Sequence, residues 1–192
     1  IGAVPGTLGV LSTILGALTG GSLTKRWGIL RALWLLGIAG IHTSVFPSAH
    51  VAAAFCCRAV GPEKVLGLSL PSAVSSGTDC DDAAALCSSL GMEHRIISIE
   101  PVLAGFRQLR GFSSTPHLLG NVMARVRMTV LYYHGNRDNR LVCGTSNRSE
   151  YMLGYCTKYG DNAADIQPIL HLYKSDVYVM AQELGIPEPI LN

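Results

Sequence analysis

No aspartate or glutamate occurs in this 192-residue chain before Glu63. The same stretch holds Lys25, Arg26, Arg31 and Arg58, so residues 1–62 carry +4 and the remainder, with 11 bases against 13 acids, carries −2. An acid-free front offers no carboxylate to a hard cation. Basic runs are lacking as well, which argues against nucleic acid as a partner. The six cysteines, Cys56, Cys57, Cys80, Cys87, Cys143 and Cys156, form no CxxC pair and have mostly apolar neighbours, so zinc is not indicated. Adjacent Cys56 and Cys57 do not suit a disulfide framework in a chain of this size, and buried free thiols in a reducing cytoplasm are expected instead. There is no internal repeat and no low-complexity tract.

The front end also lacks what membrane targeting needs. Residues 1–22, "IGAVPGTLGVLSTILGALTGGS", are uncharged and long enough to cross a bilayer. They nevertheless contain six glycines and Pro5, and no basic segment precedes them as a signal peptide requires. A second apolar run, "WGILRALWLLGIAGI", is short and is interrupted by Arg31. Residues 1–31 are therefore read as an apolar leader, packed or poorly ordered, rather than as a membrane span.

What the chain does have, from residue 32 to residue 192, is alternation. Strands are expected at 33–41, 64–70, 94–99 and 140–145, and helices at 48–60, 81–91, 117–135 and 174–185. In the 117–135 segment the apolar stripe runs through Leu118, Val122, Val126 and Val130. Such alternation predicts an α/β fold, an open and mainly parallel Rossmann-like sheet with helices on both faces. Ligands of such sheets sit beyond the carboxyl ends of the strands. Two polar, turn-rich segments leave strands there: "PSAVSSGTD" (71–79) and the window 144–168, "GTSNRSEYMLGYCTKYGDNAADIQP". The second combines glycines and hydroxyls with lysine, aspartate and glutamate, a set that can hold phosphate and a divalent cation.

Each charged residue also has a plainer reading. Arg125 and Arg127 suit a solvated helix face or pairing with acids, and Glu150 suits a first-turn acid of a helix. Asp161 and Asp165 suit turns. Lys174 opens the last helix, where the dipole disfavours a cation, and this tilts it toward binding.

Taken together, "GTSNRSE", "GYCTKYGDNAADI" and "LYKSDV", in that order and spacing, resemble the ligase domain of the NAD synthetases. The resemblance runs from about residue 44 and is densest over 119–190. It implies an enzyme that activates deamido-NAD with ATP and Mg²⁺ through an adenylate, releases pyrophosphate, and lets ammonia displace AMP. It implies roles residue by residue: Ser44, Thr145 and Lys174 for ATP, Glu150 for magnesium, and Arg125, Lys158 and Asp165 for deamido-NAD. Asp161 and Asp165 lie nearest the chemistry, with Asp161 ordering its loop. It also implies a homodimer with the "ARVRM" helix near the two-fold interface, a cytoplasmic location, and free ammonia as nitrogen source, since no nitrilase-like stretch is present.

One segment departs from the pattern. The family's phosphate loop reads SGGxDS, and counting back from "RAVGPEKVLGL" places it at 44–49, here "SVFPSA". Val45 and Phe46 stand for the two glycines, Ser48 for the aspartate and Ala49 for the last serine. Bulky side chains obstruct the close approach of backbone amides to phosphate, and Pro47 removes one N–H. The family also continues past Asn192, so 32–192 is expected to be a C-terminally truncated ligase domain. A catalytically impaired fragment that keeps only dinucleotide binding is the alternative.

Overall fold

The computed structural model describes residues 33–38, 46–75 and 77–186, and the expectations for 1–31 and for Ser44 lie outside them. The chain divides into two units, residues 1–32 and 33–192, and the described residues belong to the second. The second unit is an α/β layer structure. Its strands are β1 (Leu33–Ile38), β2 (Val65–Ser69), β3 (Glu93–Ile96) and β4 (Arg140–Cys143), all paired in parallel in the order β3-β2-β1-β4. Helices α1 (Phe46–Val60), α2 (Gly77–Leu90), α3 (Glu100–Arg107), α4 (Pro116–Asp138), α5 (Arg148–Leu153) and α6 (Lys174–Glu183) fill the connections.

β2 shows why both faces are covered. Successive side chains of a strand point to opposite faces. Leu66, Leu68 and Leu70 join Ile99, Leu103, Val126, Leu131 and Val142 in one cluster, so this face looks at α3 and α4. The alternate face at Gly67 looks at α2: a Cβ there would come within 2.8 Å of the Cys87 sulfur. In β4, Val142 belongs to the α4 side, while Cys143 on the other side meets Cys56 of α1 at 3.7 Å. Burial of a leucine in such a core contributes roughly 1.5–3 kcal/mol.

Several boundaries differ from those expected. β3 stops at Ile96 rather than at residue 99, although Ile97 and Ile99 still donate to the carbonyls of Ser69 and Pro71 at 2.9 Å. The chain continues beside β2 there without regular pairing. α3 has no counterpart among the expected helices, and α5 has one only in the reading of Glu150 as a first-turn acid. In α4 the buried stripe is Ala124, Arg127, Leu131 and His134, together with Val126, while Leu118 is exposed. Of the six cysteines, none forms a disulfide; Cys56, Cys57, Cys87 and Cys143 are buried, Cys80 is partly buried and Cys156 is exposed. Burial pushes the Cys57 thiol up to about 12 and Cys87 to about 11, so both stay protonated. Among the described residues no helix is long and apolar enough to cross a membrane.

At the opposite end of the sheet from the polar window, Asp138 at the foot of α4 accepts from Arg137 at 2.6 Å and from Arg95 of β3 at 3.3 Å. The Arg137 hydrogen bond, followed by the charges of Arg137 and Arg95, lowers its carboxyl from 3.8 to about 2. A carboxyl lowered on folding stabilises the fold above its unfolded value and loses that contribution as pH falls toward the folded one. Asp138→Asn should therefore lower Tm at pH 7 by about 1–3 °C, with the gap closing near pH 2. Thermal unfolding across that range checks it; an equal gap at both ends would refute the assignment.

Candidate functional site

All four strands run parallel, so their carboxyl ends share one edge. At that edge β4 passes into Gly144–Asn147 and then α5. Asn147, fully buried, is the N-cap: its Oδ1 accepts from the Glu150 N–H at 3.0 Å, and Glu150 Oε2 accepts from the Asn147 N–H at 3.1 Å. This reciprocal pair is a capping box, which satisfies two otherwise orphaned donors. The amide of Asn147 also donates to Ser48 Oγ at 3.3 Å and so ties α5 to the first turn of α1. α5 ends at Gly154, whose φ of 64° lies in the left-handed region that glycine tolerates.

The other oxygen of Glu150 lies 3.7 Å from Lys174 Nζ, the first residue of α6. Both side chains are largely shielded from solvent, and the Lys174 N–H donates to Ser149 Oγ at 3.1 Å. Burial lowers the affinity of Lys174 for its proton, and the Glu150 carboxylate pulls in the other direction. Glu150 is thus both the helix-capping acid of the plain reading and the charge partner of Lys174.

The second half of the window folds back onto α4 and β4. Asp161 Oδ1 accepts from the Thr157 N–H at 2.7 Å, which closes the "TKYGD" turn, and Thr157 Oγ1 donates to Asn121 Oδ1 of α4 at 3.1 Å. Arg125 is exposed on α4, and its Nε donates to the Lys158 carbonyl at 3.2 Å. Lys158 lies over the Tyr159 ring at 4.9 Å, and Tyr159 has a φ of 60°. Asp165 Oδ2 accepts from the Val142 N–H at 2.7 Å and Oδ1 from Tyr132 OH at 3.3 Å. Residues 165–166 then lie along β4: Ile166 bridges Cys143 in parallel, and the Gly144 N–H donates to the Ile166 carbonyl at 2.8 Å. Gly144 is required for this approach, because a Cβ there would lie 2.8 Å from that of Ala164.

Between α4 and these loops is a small, partly open cleft with a cavity volume of about 40 Å³. Thr145 and Asp161 line it, together with Gly144, Gly160 and Arg127. The structure thus groups the expected residues in three places: Thr145 and Asp161 in the cleft, Glu150 with Lys174, and Arg125 with the Lys158 backbone.

The family model described as NAD synthase matches residues 35–192. The chain belongs to the NAD synthase family. Among NAD synthases it is 72% identical over 142 residues to the NH(3)-dependent NAD(+) synthetase of Methanoregula boonei, covering 74% of this chain and 57% of that protein. It is 43% identical over 159 residues to that of Thermococcus kodakarensis, covering 83% and 60%. Two solved structures share the fold: the NMN synthetase of Francisella tularensis (TM-score 0.79, 32% identity, 95% of this chain and 72% of that one) and the NH3-dependent NAD synthetase of Campylobacter jejuni in complex with nitrate (TM-score 0.77, 34% identity, 95% and 73%). The chain spans less than two thirds of the length of the first two relatives.

Asn147 was not singled out from sequence, and burial of Arg127 was not expected there. Asn147 had a readable signal, an Asn three residues ahead of Glu150. Arg127 was expected on a solvated face or paired with acids, but it is 3% exposed and no carboxylate pairs with it among the described residues. Its position three residues after Ala124 and four before Leu131 places it on the buried stripe.

Proposed function

We propose that the chain forms the nucleotide-binding part of an ammonia-using ligase that makes NAD from deamido-NAD and ATP. The observation that carries this reading is the convergence of Glu150 and Lys174, from two separate helices, beyond the carboxyl end of β4. In this reading Lys174 balances phosphate charge on ATP and Thr145 contacts the nucleotide from the cleft wall, with Ser44 as a further ATP contact. Arg125, Lys158 and Asp165 hold the dinucleotide. Its carboxylate oxygen attacks the α-phosphorus of ATP and pyrophosphate leaves; ammonia then attacks the carbonyl carbon, loses a proton, and AMP leaves. Positioning and electrostatics do most of this work. The hydrogen bonds held by Asp161 and Asp165 make them positioning groups for the loop and for the edge of β4.

Magnesium fits the residues present to a limited extent. No group of three His, Cys, Asp or Glu that could hold a metal occurs among the described residues. Mg²⁺ at such sites takes one or two carboxylates and completes its shell with phosphate and water, so Glu150 can supply its single protein oxygen. When bound it would neutralise phosphate charge.

Relatives of high identity are ligases by name, which favours this reading over a chain that only binds. A homodimer and a cytoplasmic location go with it: Leu118 and Tyr133 on α4 are exposed apolar residues suited to an interface, and the unpaired cysteines suit a reducing compartment. Light scattering that gives a monomer at micromolar concentration would remove the dimer. For the activity, the chain is incubated with ATP, Mg²⁺, ammonium and either deamido-NAD or nicotinate mononucleotide, the second because one structural neighbour is an NMN synthetase. AMP and NAD appearing together support the proposal. AMP formed with the mononucleotide alone would reassign the substrate, and no binding of any of the three nucleotides would refute it.

A further inference from the structure

Arg127 is charged, 3% exposed, and lacks an acidic partner among the described residues. Its Nε donates to the Leu70 carbonyl at 2.9 Å and its Nη2 to Ser75 Oγ at a long 3.4 Å, while Nη1 has no partner. These bonds pin the segment after β2, which Glu100 holds from its other side by accepting from the Ala73 N–H at 3.0 Å. Arg127 also lines the cleft that holds Thr145 and Asp161. Asp161 does not neutralise it: that carboxylate is engaged by Thr157, and the two residues make no ion pair. Burial alone accounts for the lowered proton affinity of the guanidinium, with no opposing carboxylate. A buried cation with an unmet donor is costly, and is retained where something else supplies the missing charge. Holding the loop needs two neutral hydrogen bonds, which a glutamine could make. It does not need a permanent charge.

We propose that Arg127 is the oxyanion-binding residue of this cleft, its Nη1 donating to an anionic oxygen of the ligand. The proposal rests on the ligase reading for the identity of that ligand: the oxygen belongs either to a phosphate of ATP or to the carboxylate of the dinucleotide. Guanidinium suits both, since its fixed fork matches carboxylate and phosphate alike.

Titration calorimetry of the chain with Mg-ATP and, separately, with deamido-NAD is the test, using Arg127→Lys and Arg127→Gln. Loss of the charge-assisted bond is expected to weaken one ligand by about 10- to 100-fold in Arg127→Gln and leave the other within about threefold. Arg127→Lys should recover part of the loss. Loss confined to ATP assigns the phosphate; loss confined to deamido-NAD assigns the carboxylate. Unchanged affinities in a folded variant, or equal losses for both ligands with a lowered Tm and no recovery by lysine, overturn the proposal. Should neither variant fold, the buried guanidinium ¹⁵N resonance of the unaltered chain is followed instead. It must move on adding one of the two nucleotides, and its failure to move overturns the proposal. If neither nucleotide binds the unaltered chain, the ligase reading fails, and the same resonance titrated with pyrophosphate and with nicotinate decides the oxyanion site alone.

Discussion

Glu150→Ala is expected to destabilise the chain by about 0.5–2 kcal/mol and to abolish measurable AMP release with ATP, deamido-NAD and ammonium. One oxygen of this residue closes the capping box with Asn147 and the other faces Lys174, so alanine removes both functions at once. Glu150→Gln separates them. Glutamine can still accept from the Asn147 N–H, so thermal unfolding should stay close to that of the unaltered chain. The charge beside Lys174 is gone, and AMP release should still fall by about 10- to 100-fold. Full activity in Glu150→Gln would leave Glu150 as a helix cap and nothing more.

The second large effect concerns residues 44–49. Replacing "SVFPSA" by "SGGVDS" is expected to strengthen Mg-ATP binding by about a hundredfold or more, since two or three charge-assisted phosphate contacts at roughly 1.5–3 kcal/mol each are restored. The described part of this segment opens α1, where Ser48 is fully buried against the Asn147 amide. An aspartate at 48 can keep that hydrogen bond while bringing a carboxylate to within one residue contact of the Glu150 cap. A serine at buried position 49 puts a hydroxyl where an alanine packs, so some stability is lost in exchange. Calorimetry with Mg-ATP on both chains measures the difference. Micromolar affinity in the unaltered chain, together with NAD formation, would show that "SVFPSA" is no obstacle.

The layer order was legible because the apolar runs are distinct. Within "KVLGLSL" the strand Val65–Ser69 is buried along its whole length, and the helix at 117–135 exceeds its expected bounds by only a few residues. On that helix Val122, Val126 and Val130 pack against the core as expected, and the misses are exposed Leu118 and buried Arg127. Burial in α4 follows Ala124, Arg127, Leu131 and His134, two of which are polar. Short α5 escaped because it carries no apolar stripe that is buried, and short α3 because its stripe of Ile99, Leu103 and Phe106 spans only two turns. Their signals are local: Pro101 near the start of one, and the Asn147–Glu150 pair at the start of the other. The charged residues of the window were legible as a set, but their pairings were not. That Glu150 meets Lys174 across 23 intervening positions, or that Arg125 meets the Lys158 carbonyl, depends on how the loop closes over β4, and only tertiary contacts settle that.

That closure has a further consequence. β4 is the last strand of the sheet, and a terminal strand offers unpaired amides and carbonyls on which another chain can polymerise. Here the Asp165 carboxylate takes the Val142 amide, the Val142 carbonyl takes the Asp165 amide, and Gly144 and Ile166 continue the seam. The segment that carries Lys158, Asp161 and Asp165 is therefore also the selvedge of the sheet. On the proposed reading Asp165 also faces the dinucleotide, so a change there toward a different substrate would loosen a stitch that keeps the edge from aggregating.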